Sequence, residues 1–182
     1  MDSEKLRSLQ VLTKEIYAEN REFIFDIILF GSSIKGKTKP RDTDIVVVFN
    51  QKLPQNKINN MLSLFQNCHS EYVFLEELYR EPLWTTIIQE GYSLIHSEFV
   101  HSVLGFESYF LFTYDLKNLG KVSKSRFSHA LFGRKKDGLL SEIGGKVFGK
   151  GCVLVPTEKS EKMRSFLETW KINYTVYRSL LY

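Results

Sequence analysis

The sequence has few features of a secreted or membrane protein. Its 182 residues include only two cysteines, Cys68 and Cys152, which form neither a Cys-x-x-Cys pair nor a disulfide framework. No apolar run is long enough to cross a bilayer, and the N-terminus has neither the basic start nor the apolar core of a signal peptide. We therefore expect a cytoplasmic protein with reduced thiols and no membrane partner.

Several common site signatures are also missing. The chain has no Walker or G-x-G-x-x-G glycine pattern, no zinc-finger spacing and no helix-turn-helix pattern. Its histidines lack metal-ligand spacing, so all four are interpreted as ordinary surface or core residues. They are His69, His96, His101 and His129.

The composition is that of a folded globular chain, with 43% hydrophobic and 14% aromatic residues. Residues 1–98 alternate helical and extended patterns, which predicts an α/β (α+β) fold with a mixed sheet. The predicted helices are Ser3–Asn20, Gln55–Asn67 and Pro82–Gln89. The predicted strands are Phe23–Phe30, Ile45–Phe49, Glu71–Leu75 and Tyr92–Ile95.

The C-terminal part differs in pattern and in charge, which places a domain boundary near residue 98. Residues 1–98 contain 11 basic and 14 acidic residues, whereas residues 99–182 contain 14 basic and 7 acidic residues. The predicted order of elements after residue 99 is β-α-β-β-α-β. This order favours a small α+β domain of the split β-α-β, ferredoxin-like kind.

Two aspartates at the start of a predicted strand indicate a candidate metal site. Asp is a poor strand residue, and Asp42 and Asp44 precede the run IVVVF, on one face of the strand. A divalent cation such as Mg²⁺ relieves the repulsion between two carboxylates and is commonly shared with substrate phosphates. Gly31 and Ser32 follow the preceding strand, where backbone N–H groups and a hydroxyl can meet a phosphate. The intervening loop is basic and includes Lys35.

The stretch LFGSSIKGKTKPRDTDIVVVF resembles the strand, Gly-Ser, loop, Asp-x-Asp, strand pattern of the DNA polymerase β-like nucleotidyltransferases, especially the minimal nucleotidyltransferases. The resemblance covers residues 20–97. It implies that Asp42 and Asp44 hold two catalytic Mg²⁺ ions and that Gly31 and Ser32, with Lys35, bind the phosphates of an NTP, for which we expect ATP.

The same resemblance implies a third carboxylate on a later strand, where the family usually has Asp. The matching position in SEYVFLEEL is Glu71, with Glu76 as a competing candidate. Glu71 is therefore the predicted third catalytic and metal-binding residue. The longer side chain is a departure from the family pattern.

The basic C-terminal part is a candidate nucleic-acid-binding region. Residues 117–150 contain nine basic and two acidic residues, interspersed with aromatic residues, which is typical of single-stranded nucleic-acid binding. The alternative is a solvated surface, with Phe127 and Leu131 in the core. The predicted contact residues are Lys121, Lys124, Arg126, Arg134, Lys135 and Lys136.

The sequence thus predicts a Mg²⁺-dependent nucleotidyltransferase that transfers a nucleoside monophosphate from an NTP to a macromolecular acceptor. The charge favours RNA as that acceptor. Two alternatives stay open. One is a protein-modifying, AMPylating transferase of the toxin–antitoxin type, and the other is a non-catalytic regulator that binds nucleotide or RNA.

Overall fold

A computed structural model describes residues 3–31, 43–134 and 136–182. Contacts between residues divide the chain into two compact units, Met1–Gly105 and Phe106–Tyr182. The sequence predicted a boundary near residue 98. The boundary falls later because the short strand Glu98–Phe99 pairs with Tyr92–Ser93 of the first unit.

The first unit is built around a mixed five-stranded sheet of order β3-β2-β1-β4-β5. Strands β2 and β3 are parallel and the other neighbours are antiparallel. The strands are β1 (Ile24–Phe30), β2 (Asp44–Phe49), β3 (His69–Phe74), β4 (Tyr92–Ser93) and β5 (Glu98–Phe99). The helices are α1 (Ser3–Asn20), α2 (Gln55–Leu62), α3 (Trp84–Glu90) and α4 (Val100–Val103).

Helices cover both faces of this sheet because β1 and β2 are apolar on both faces. Successive strand residues point to opposite sides. Ile45 and Val47 pack in one core with residues of α1 and α2. Val46 and Val48 pack in another core with Ile87 of α3. The result is a three-layer arrangement that buries most residues of the two central strands.

Helix α2 is shorter than the sequence predicted. It ends at Leu62, although Phe65 continues the apolar spacing of the helix. Phe65 still reaches the core, but from a turn, and is 3% exposed. Asn67 then adopts a positive φ of 62°, and β3 begins at His69, earlier than the predicted start at Glu71.

The second unit is an antiparallel four-stranded sheet of order β7-β8-β6-β9. Strand β8 lies between β6 and β7, and β6 lies between β8 and β9, so each β-α-β unit is split by another strand. This confirms the split β-α-β arrangement. Its strands are β6 (Glu107–Tyr114), β7 (Lys146–Gly149), β8 (Cys152–Pro156) and β9 (Tyr174–Leu181). Its helices are α5 (Lys121–Phe132), α6 (Leu139–Glu142) and α7 (Ser160–Thr169).

The three helices of the second unit pack on one face of its sheet. Phe127 and Leu131 of α5 and Met163 of α7 are fully buried there against Phe112 and Val153. The prediction that Phe127 and Leu131 face a core is therefore confirmed. None of the helices in the described ranges is long and apolar enough to cross a membrane.

Candidate functional site

The end of β1 and the start of β2 bring Gly31 and Asp44 into contact. Asp44 pairs with Phe30, the last residue of β1, so its side chain lies beside the next residue, Gly31. Gly31 has a φ of 79°, a conformation that L side chains rarely adopt. A β-carbon at this position would collide with Asp44 Oδ2 and lie 3.3 Å from Asp44 Cγ. Glycine at position 31 therefore makes room for the Asp44 carboxylate.

The parallel strand β3 adds two further polar side chains to the same edge. His69 pairs with Asp44, and Glu71 pairs with Val46. Paired residues and residues two apart share a face, so Asp44, His69 and Glu71 lie on one side of the sheet. The Nδ1 atom of His69 is 3.7 Å from Asp44 Oδ1 and 3.8 Å from Glu71 Oε1. The imidazole thus lies close to both carboxylates.

A cleft opens beside this group. It has a volume of about 760 Å³ and is lined by Asp44, Asn67, Cys68 and His69. Ligand pockets commonly enclose about 300–1,000 Å³, so the cleft is large enough for a small-molecule substrate. The Asp44 side chain is 27% exposed and that of Glu71 is 50% exposed, so both carboxylates are accessible. Burial raises the pKa of the Cys68 thiol, which favours its neutral form.

The register distinguishes the two candidates for the third carboxylate. Glu71 lies two residues along β3 from the residue that pairs with Asp44. Glu76 follows the far end of β3, where its Oε1 is 3.2 Å from Lys52 Nζ. Strands rise about 3.3 Å per residue, so Phe74, the last residue of β3, is about 16 Å along the sheet from the pairing position of Asp44, and Glu76 follows Phe74. Glu71 is therefore the candidate that lies near Asp44.

Part of the predicted site lies outside the described residues. This applies to Ser32, Lys35 and Asp42, and to Lys135 in the basic region. Over residues 3–31, 43–134 and 136–182, no group of three or more His, Cys, Asp or Glu side chains is arranged to hold a metal ion. Within the described ranges, the His69 ring lies within 4 Å of both the Asp44 and the Glu71 carboxylates.

His69 is an exposed histidine, in agreement with the sequence interpretation, and the structure adds that it lies beside Asp44. Its proximity to Asp44 follows from the parallel pairing of β2 with β3, which a single sequence does not specify. The sequence indicates only that His69 and Glu71 would share a face of a strand, because they are two residues apart.

Five of the six predicted nucleic-acid-binding residues lie within the described ranges, and these five are exposed in the second unit. Lys121, Lys124 and Arg126 lie on α5, and Arg134 and Lys136 follow its end. Phe132 and Phe148 are 43% and 63% exposed, so this stretch also has accessible aromatic side chains. Lys146 has an acidic partner, because its Nζ is 3.3 Å from Glu107 Oε2, and it also lies over the ring of Tyr109.

A separate buried carboxylate lies on β1 away from Gly31. Asp26 is 6% exposed, and its Oδ1 accepts hydrogen bonds from the Ile27 N–H at 2.7 Å and the Ser93 hydroxyl at 2.8 Å. Burial is the largest influence on this group and raises the pKa of Asp26, while the hydrogen bonds from Ser93 and Ile27 oppose that rise. This carboxylate is held within the fold rather than presented to the cleft.

The fold and the site define a mixed α+β chain with a polar, accessible edge on its first sheet. In comparisons with protein-family models, curated proteins and solved structures, this chain has no match. Inference about function therefore depends on the residues themselves.

Proposed function

We propose that the protein is a Mg²⁺-dependent nucleotidyltransferase of the DNA polymerase β-like, minimal type. It would transfer a nucleoside monophosphate from an NTP, with ATP as the expected substrate, to a macromolecular acceptor in the cytoplasm. The observation that carries the proposal is the position of Asp44. Its carboxylate lies against Gly31 at an accessible sheet edge, with Glu71 on the same face of the neighbouring parallel strand.

The residues of this edge support a magnesium site of the expected kind. Carboxylate oxygens are ligands that Mg²⁺ prefers, and the space left by the missing Gly31 side chain accommodates the Asp44 carboxylate. Asp42, Asp44 and Glu71 would hold the metal. When bound, Mg²⁺ supplies the positive charge that neutralises a triphosphate and activates an acceptor hydroxyl.

The remaining residues would bind and orient the nucleotide. Gly31 allows a phosphate to approach the backbone closely, and Ser32 and Lys35 supply a hydroxyl donor and a cation for the phosphate oxygens. His69 would restrain Asp44 and Glu71 from the open side of the cleft. Phosphoryl transfer depends on such placement and charge more than on covalent chemistry by the protein.

RNA is the acceptor that the charge favours. The basic residues of α5 are exposed, and Phe132 and Phe148 offer accessible rings for stacking on unpaired bases. A protein hydroxyl is the alternative acceptor and would make the chain an AMPylating transferase of the toxin–antitoxin type.

A second candidate function is a non-catalytic regulator that binds nucleotide or RNA. One observation favours it: the carboxylate beside Asp44 on the neighbouring strand is Glu71, where the family pattern has an aspartate, and its side chain is 50% exposed. A regulator of this kind would bind nucleotide and metal without transferring the nucleotide.

A labelling experiment tests the proposal. The protein is incubated with Mg²⁺ and each α-labelled NTP, together with total RNA or cell protein, and label on either acceptor is measured. We expect transfer by the wild-type chain and its loss in Asp44→Asn, which keeps the size of the side chain but removes its charge.

The matched control is Glu76→Gln, which makes the same chemical change at a carboxylate paired with Lys52 away from the site. This variant should keep wild-type activity. NTP binding without transfer to either acceptor would favour the regulator. Equal activity in Asp44→Asn and the wild type would refute the assigned site.

A further inference from the structure

Strand β9 forms an edge of the second sheet without the usual protection of an edge strand. It is eight residues long, and within the described ranges no strand pairs with its outer side. Its pairing with β6 is continuous, with no bulge, and its sequence YTVYRSLL has no proline or glycine. Arg178 is its only charged residue. Proteins usually protect such edges with short strands, lysine, proline or bulges, because an exposed edge can pair with another chain.

The opposite edge of the same sheet is protected. Strand β7 is four residues long, has a register shift between Val147 and Gly149, and begins with Lys146. Each of these features discourages pairing with another strand. One edge strand of the sheet, β7, is thus protected against pairing, whereas the other, β9, is suited to pair with a further strand.

The outer side chains of β9 suit a further strand. Tyr177 is 54% exposed and Leu180 is 40% exposed, and they lie on opposite faces of the sheet. An aromatic residue such as Tyr177 stabilises cross-strand pairs, and an exposed Leu180 offers apolar surface to a neighbouring strand. An added strand would therefore gain side-chain contacts on both faces as well as backbone hydrogen bonds.

We propose that β9 pairs with β9 of a second copy of this chain, forming a symmetric dimer with one continuous eight-stranded sheet. Two-fold symmetry is the commonest form of protein oligomer, and it requires a surface complementary to itself. A two-fold axis perpendicular to the sheet keeps each face of the sheet on the same side in both copies. Paired residues must then come from the same face, so one residue of β9 has to pair with its own copy across the axis. Axes at Tyr177 and at Arg178 give the longest overlaps.

Charge selects the axis at Tyr177. An axis at Arg178 would place two guanidinium groups directly opposite each other, which is unfavourable. With the axis at Tyr177, the two Tyr177 rings face each other and Arg178 lies opposite Val176. Arg178 of the second copy then lies diagonal to Arg178, farther away than in direct opposition, and diagonal to Tyr174, whose hydroxyl donates a hydrogen bond to Glu168 at 3.2 Å. This register brings a cation near a carboxylate on each side of the axis.

The test is the oligomeric state of the 182-residue chain, measured by light scattering and sedimentation over a concentration series. We expect a concentration-dependent dimer for the wild type. Tyr177→Lys places two lysines across the axis and should weaken dimerisation at least tenfold. Phe148→Lys is the matched control, because it adds the same charge at an exposed aromatic residue on the protected edge strand.

A charge-exchange experiment tests the register itself. Tyr177→Lys and Tyr177→Glu should each be monomeric alone, and a mixture of the two should form dimers, because opposite charges then face each other across the axis. A monomeric wild type would overturn the proposal, and the partner strand of β9 would then have to come from a different protein. A dimer that survives Tyr177→Lys, or that Phe148→Lys abolishes, would also overturn it.

Discussion

Replacing Gly31 with alanine tests the contact on which the candidate site depends. The residue has a φ of 79°, and a β-carbon there would collide with Asp44 Oδ2. The positive φ costs an L residue about 1–2 kcal/mol. Moving the Asp44 carboxylate out of its preferred rotamer adds about 0.5–1.5 kcal/mol. We therefore expect Gly31→Ala to lower the free energy of unfolding of the first unit by about 2–3 kcal/mol.

A double-mutant cycle with Asp44→Ala separates the cost of the positive φ from the cost of moving the Asp44 carboxylate. That variant removes the carboxylate and leaves Asp44 Cβ, which would be 3.6 Å from the new methyl group, an ordinary contact. In this background Gly31→Ala should cost only the backbone part, about 1–2 kcal/mol. The coupling between the two positions should therefore be about 0.5–1.5 kcal/mol.

The assay is equilibrium unfolding in urea, followed by tryptophan fluorescence. The chain has two tryptophans, Trp84 in the first unit and Trp170 in the second, so a Trp170→Phe background reports the first unit alone. An equal cost of Gly31→Ala in both backgrounds would refute the contact between Gly31 and Asp44. A cost below about 0.5 kcal/mol in either background would refute the positive φ.

Two further predictions concern Asp26 and the basic helix α5. Because burial raises the pKa of Asp26 above 3.8, the folded chain holds that proton more tightly than the unfolded chain, and stability falls as pH rises through the folded-state pKa. The melting temperature of Asp26→Asn minus that of the wild type should therefore rise between pH 4 and pH 7. A difference that stays constant with pH would contradict this. Replacing Lys121, Lys124 and Arg126 with alanine should weaken binding of a labelled single-stranded RNA and reduce the slope of log K against log salt by about 0.7 per lost phosphate contact. Lys146→Ala, at a lysine paired with Glu107, should leave that slope unchanged.

The order of strands and helices was predictable from the sequence because apolar periodicity decides it locally. The runs IFDIILF and DIVVVF are apolar on both faces, and they form the buried centre of the first sheet. The end of α2 was not predictable in the same way. Phe65 has helical spacing and is buried, but it reaches the core from a turn, and periodicity alone does not distinguish these cases.

The site was predictable only as far as one strand and its loop specify it. Asp44 and Gly31 were identified from their positions at a strand start and a strand end. The neighbours of Asp44 depend on which strand pairs with β2, and in which register, and this is settled by packing across the whole unit. That is why Glu76 remained a competing candidate beside Glu71, and why the proximity of His69 to Asp44 was not predictable.

Residues unfavourable for a strand lie together at one edge of the first sheet. Asp44 begins a strand although Asp disfavours strands, and His69 and Glu71 place ionisable groups beside it. Gly31 and Asn67, at the two approaches to this edge, both have positive φ. Such local conflicts are expected at functional sites, so their common location favours a function for this edge independently of any family resemblance.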